Sequence, residues 1–193
     1  MRTLLLRAGS IGAALLCMAG GVAAADPLPV EDVSQSAVTR DGWHLKASLN
    51  NMTFNSVPNM ADTSFTREAF VTGEADATIE GNGGTPVNTG SLVLGVQIGC
   101  QIDLSWGGSI GFGQSFIPFA PVVSLLLLPG WMANVGLGRI PLKGRTASIV
   151  VHDVDIKADA CGGPVSARFF ATTLINSDTS QDSQTVYSDI THI

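Results

Sequence analysis

Apolar and polar side chains alternate along this chain for much longer than an ordinary strand requires. From Leu92 the even positions read Leu92, Leu94, Val96, Ile98, Cys100, Ile102, Leu104, Trp106, Gly108, Ile110 and Phe112. The odd positions between them, Gly95, Gln97, Gly99, Gln101, Asp103, Ser105, Gly107, Ser109, Gly111, Gly113 and Ser115 among them, are small or polar apart from Val93. A two-residue period predicts a strand with one greasy and one slim, wet face, and strands of soluble domains usually end by about ten residues. From Leu104 to Gly138 there is no Asp, Glu, Lys or Arg. The stretch cannot be a membrane helix, because Pro118, Pro121 and Pro129 interrupt it and Gly107, Gly108, Gly111 and Gly113 disfavour a helix interior. After a turn at Pro118–Pro121 the return from Val122 to Gly138 is apolar and carries Trp131. Apolar outward, small or polar inward is the pattern of membrane barrels, so the pair reads as a hairpin that enters a membrane.

Shorter alternations flank it. Trp43, Leu45, Ala47 and Leu49 interleave with His44, Lys46 and Ser48, and Val71, Gly73, Ala75, Ala77 and Ile79 interleave with Thr72, Glu74, Asp76, Thr78 and Glu80. Both predict half-buried strands. Residues 146–158 and 165–175 predict two more, and 184–190 a last edge strand. Ser64 to Phe70 is the best short helix, capped by Ser64 or Thr66, and the Gly-rich loop from Gly81 to Gly90 predicts a hairpin connection. The fold class is therefore all-β: a β-sandwich rim built from 26–103 and 139–193, with a projecting stem hairpin over 104–138, in a single domain spanning 26–193.

Residues 1–25 read as a secretory signal, with Arg2 and Arg7, an apolar run from Ile11, and Ala23-Ala24-Ala25 before Asp26. Without the two arginines, eight basic side chains face 16 acidic ones. This argues against a nucleic-acid partner, which needs a basic stripe. Cys100 and Cys161 are the two cysteines left. In an exported protein they suggest one disulfide, with two buried free thiols as the alternative.

Several segments together resemble a known family. They are Ser64-Phe-Thr-Arg-Glu-Ala-Phe-Val-Thr-Gly73, Gly90-Ser-Leu-Val-Leu-Gly-Val-Gln-Ile-Gly99, Leu128-Pro-Gly130, and Gly162-Gly-Pro-Val-Ser-Ala-Arg-Phe-Phe-Ala171 followed by Ser177 to Tyr187. In order and approximate spacing the set is similar to the MspA family of mycobacterial outer-membrane porins. The resemblance implies a homo-octamer in a mycolate-type outer membrane. In it each subunit would add one hairpin to a shared transmembrane β-barrel, and a water-filled channel would pass small hydrophilic solutes and ions. The hairpin here is shorter than in the best-known members, and its tip, Gln114-Ser-Phe-Ile-Pro-Phe-Ala-Pro121, lacks their acidic cluster. The family's constriction residues therefore do not transfer.

Elementary physics points the same way. Two strands cannot close a barrel, and an open pair in lipid leaves two unpaired edges, so the hairpin itself implies oligomerisation and contact with membrane lipid. Leu104 to Ile117, at about 3.3 Å per residue and tilted by about 40°, rises roughly 35 Å, enough for an apolar band of about 25 Å. The odd register assigns Asp103, Ser105, Gly107, Ser109, Gly111, Gly113 and Ser115 to the pore lining. Asp103 would form an acidic ring at the stem's mouth that favours cations, or alternatively would pair with Arg139, the first charge after the apolar stretch. Trp106 and Trp131 are candidates for an interfacial aromatic belt.

No phosphate loop, nucleophile elbow or paired-cysteine metal motif occurs, and the chain is not expected to be an enzyme or to hold a cofactor or metal. His152-Asp-Val-Asp155 with Asp159 reads as a solvated strand face carrying a compensating Lys157. The rival to a porin is an exported β-sandwich that binds or scaffolds at the cell envelope, its apolar hairpin packed on a partner or a lipid.

Overall fold

A computed structural model describes residues 26–103, 123–126 and 132–193. The segment expected to be a signal and most of the expected stem, including Ser105 to Ser115, Trp106 and Trp131, lie outside the described residues.

Two antiparallel sheets pack face to face. The first is built on β3 (His44–Val57), β4 (Arg67–Glu80) and β8 (Thr146–Asp159). The short strands β1 (Leu28–Val30) and β2 (Val33–Val38) share the outer edge of β3, and β6 (Val123–Leu126) lies along β8. The second sheet runs β10–β9–β5–β7, from β10 (Gln181–Tyr187) through β9 (Cys161–Ser177) and β5 (Val87–Asp103) to β7 (Met132–Pro141). The short β11 (Thr191–His192) extends the β10 edge.

The alternating patterns face where they were expected to. Leu45, Ala47, Leu49, Val71, Ala75, Ala77 and Ile79 from the first sheet meet Leu92, Leu94, Val96, Ile98, Ala167, Phe169 and Ala171 from the second in one buried core. A pleated strand sends every second side chain to the same face, so each alternation becomes half of the sandwich interior.

Two local expectations are overturned. Ser64–Phe70 is not a helix: β4 begins at Arg67, and Ala69 and Val71 alternate into the core. The preceding turn is held instead by Asn59, whose amide donates to the carbonyls of Thr63 (2.8 Å) and Thr66 (3.2 Å) while its oxygen accepts from the Thr63 N–H (3.0 Å). Ladders offered by both β3 and β8 outweigh a weak local helix preference. Nor does the loop after Gly81 close a hairpin, because β4 and β5 belong to different sheets and the loop crosses between them. Trp43 supports the crossing, its indole N–H donating to the Thr85 carbonyl at 2.8 Å. Gly83 passes so near that a Cβ there would lie 2.1 Å from Trp43 Nε1. Only glycine allows that approach.

At the same end of the sandwich, Asp41 ties the β2–β3 turn to the β9–β10 turn. Its carboxylate accepts from the Ser177 hydroxyl, from Thr179 Oγ1 at 3.0 Å and from Ser180 Oγ at 2.9 Å. These hydroxyls, Ser177 first, hold its pKa below the usual carboxylate value. A depressed folded pKa adds stability above the unfolded value and loses it as pH falls through the folded one. Asp41→Asn is therefore expected to lower the urea midpoint at neutral pH and to flatten the fall in stability between about pH 5 and pH 3. Urea titrations of both proteins across that range check this; parallel pH curves would contradict it.

Candidate pore stem and its footing

The expected stem has its base at the β7 edge of the second sheet. β5 carries the chain out and β7 brings it back, paired antiparallel from Ser91 opposite Pro141 to Gly99 opposite Met132. The stretch between Gly99 and Met132 therefore starts and ends side by side, as the base of a hairpin must. Within it, β6 runs parallel to β8, with Val123 opposite Ile156 and Leu126 opposite Asp159. This part of the expected return arm thus lies on the first sheet, where it covers an otherwise open strand edge.

The even register of β5 changes surroundings at one residue. Leu92, Leu94, Val96 and Ile98 are fully enclosed by the first sheet and Cys100 is 5% exposed, whereas Ile102 is 49% exposed. The even face of β5 therefore leaves the core between Cys100 and Ile102, and in the sequence the same register goes on to Leu104 and Trp106. Beyond that point its alternation needs another apolar neighbour.

That point is also where the strand is fastened. Cys100 and Cys161 form a disulfide, with Cα atoms 5.8 Å apart, joining β5 to the first residue of β9. Between Cys100/Val165 and Ile102/Gly162 the ladder shifts by one residue, β9 holding the extra residue at Gly163-Pro164. Gly163 takes φ +90°, and a Cβ there would sit 2.7 Å from Gln101 Oε1. A bulge with glycine at positive φ, beside a proline that cannot donate to a ladder, interrupts the pairing before it resumes at Ile102 and Asp103.

Asp103 is the last residue of β5, half-buried and opposite Cys161. Arg139 stands opposite Val93, ten residues back along β5, or roughly 33 Å at strand rise. The alternative pairing of Asp103 with Arg139 within one chain is thereby overturned: the register carries the two to opposite ends of the strand pair. His152 and Asp153 sit on a β8 bulge where Asp153 takes φ +48° and donates its N–H to Thr72 Oγ1 at 3.1 Å. Lys157 lies 3.6 Å from Asp159. Burial, with the nearby Glu68 charge, raises the Asp155 pKa. Among the described residues no group of His, Cys, Asp or Glu is placed to hold a metal ion.

Two packed sheets, with β5 and β7 paired and a disulfide joining β5 to β9, define an all-β sandwich. Residues 41–191 match the MspA family, and the chain belongs to it. No curated protein matches the sequence. MspA proteins are oligomeric porins of the mycobacterial outer membrane, a family defined by transport and not by catalysis.

Proposed function

We propose that the exported chain assembles into a ring, with eight subunits as the family resemblance implies, whose 104–138 hairpins close a transmembrane barrel in a mycolate-type outer membrane. Small hydrophilic solutes and ions then diffuse passively through it. The observation that carries this reading is the abrupt exposure of the even register at Ile102, beyond which the sequence keeps alternating apolar with small or polar residues. Lipid outside and water inside satisfy both faces of such a strand, and only a closed ring removes its edges. Ser105, Gly107, Ser109, Gly111, Gly113 and Ser115 line the lumen, Asp103 rings its mouth, and Trp106 and Trp131 meet the interface. Addition of mature protein to a planar bilayer is expected to give stepwise, long-lived current increases that prefer cations, and Asp103→Asn to weaken that preference. Silence from a folded oligomer contradicts the conduit, and unchanged selectivity contradicts the ring.

The pairing of β6 with β8 favours a second reading, an envelope-binding sandwich whose apolar arm packs on protein. A soluble monomer after detergent-free extraction supports it, and a heat-stable oligomer on an unheated gel opposes it.

A further inference from the structure

The outward face of the second sheet carries a preorganised cation. Arg168 on β9 stands in register with Gln97 on β5 and donates from Nε to Gln97 Oε1 at 2.8 Å. Its guanidinium carbon lies 4.3 Å from the Tyr187 ring centre, and the Phe170 ring lies 6.4 Å from that of Tyr187. Stacking and the hydrogen bond fix where the charge points. No carboxylate among the described residues pairs with it, whereas Lys157 has Asp159. In an acidic protein this is a localised positive site.

Beside it lies a hollow of about 120 Å³, into which Gln97, Ser166 and Arg168 bring polar atoms and Met132 and Ile190 bring apolar walls. Met132 and Ile190 are 67% and 61% exposed, so much of that wall stands in water in the chain alone. A fixed guanidinium next to a small apolar hollow complements a ligand with a carboxylate head and a short aliphatic body: the head accepts charge-assisted hydrogen bonds and the body covers the walls.

We propose that the Arg168 hollow is a binding subsite for short-chain organic carboxylates, with the head on Arg168 and the tail between Met132 and Ile190. Gln97 and Gly99 lie on the odd register of β5, the register that continues past Asp103 into the lumen wall. The hollow therefore opens on the solute path, about 20 Å along the strand from Asp103, and concentrates such anions at the wide end of the channel. This placement rests on the conduit reading; the binding itself does not.

The test is a titration of butyrate into the detergent-purified mature protein, followed by calorimetry, with butylammonium as the control cation. Saturable butyrate binding is expected, weakened about tenfold or more in Arg168→Gln and weakened in Ile190→Asp, which sets a carboxylate at the exposed wall. Butylammonium is expected not to bind. Equal affinity for the two ligands overturns the subsite, as does unchanged butyrate affinity in both variants. If Arg168→Gln fails to fold, Ile190→Asp, altered at an exposed side chain, decides alone. Bilayer currents on the same samples separate the two levels of argument. Selective butyrate binding in a protein that never conducts leaves the subsite standing and removes the conduit, while a conducting protein with unselective binding does the reverse.

Discussion

Replacing both Cys100 and Cys161 by serine is expected to cost about 4 kcal/mol of sandwich stability relative to the oxidised protein. The cysteines are 61 residues apart in sequence, and cross-linking a loop of that size removes about this much free energy of disorder from the unfolded chain in the chain-entropy account. For a domain of this size the melting temperature would fall by about 10 °C. The location adds a functional consequence. The bridge lies where the even register leaves the core and spans the Gly163-Pro164 bulge, Cys100 on one side of it and Cys161 on the other. Without it, the last residues of β5 keep the pairing of Ile102 and Asp103 with Gly162 and Cys161 but lose their covalent tie to β9, so protection of their amides from hydrogen exchange should fall more than that of Leu92–Val96. Denaturant titrations of oxidised wild type, reduced wild type and the double serine variant measure the effect. Reduced wild type and the variant should coincide well below the oxidised protein, and three coincident curves would defeat the assignment.

Much of this arrangement is written in the alternation of side chains. Period-two patterns at Leu45–Leu49, Val71–Ile79 and Leu92–Ile98 each become one wall of the core, because burial selects one face of a pleated strand whatever its neighbours are. Sheet membership is not written there. The loop after Gly81 has the glycines of a hairpin turn, yet it crosses between sheets, since which strand pairs with β5 is decided by contacts with β9 and β7 far away in sequence. The misread helix at Ser64–Phe70 has the same origin: Ala69 favours a helix and Phe70 does not, and the two flanking strands decide. At the functional end, the pair of cysteines was legible from composition and compartment alone. The Arg168 hollow was not, because Gln97 and Arg168 meet only through the β5–β9 register, and Tyr187 reaches them from a third strand. Neither the bulges nor the step at Ile102 has a local signature beyond Gly163-Pro164, which fall in the break between the expected strands 146–158 and 165–175.

Phe169→Ala should remove about 3–5 kcal/mol, the range for emptying a fully buried aromatic site. Phe169 is 0% exposed, its ring centroid is 4.7 Å from that of Phe54, and its Cε1 lies 3.3 Å from where a Cβ on Gly73 would stand. The first sheet is shaped around this ring. On β3 a bulge at Asn51–Met52, with Asn51 at φ +53°, and on β8 the bulge at His152–Asp153 both fall opposite Thr72–Gly73 of the intervening β4. Paired bulges increase local twist and bend a sheet, and here the missing side chain of Gly73 leaves the space that the ring from the facing sheet fills. The two positions are therefore coupled. Gly73→Ala alone is expected to destabilise, because a Cβ at that separation presses on an aromatic edge enclosed by Met52 and Phe54. In the Phe169→Ala background the same methyl enters the vacated space, and its effect should vanish or turn mildly stabilising. A double-mutant cycle read by urea denaturation should return a coupling of about 1 kcal/mol or more. Strict additivity would mean that the sheet bends for reasons other than this ring, and that the bulges flanking Gly73 serve the backbone of β4 and not the packing between the sheets.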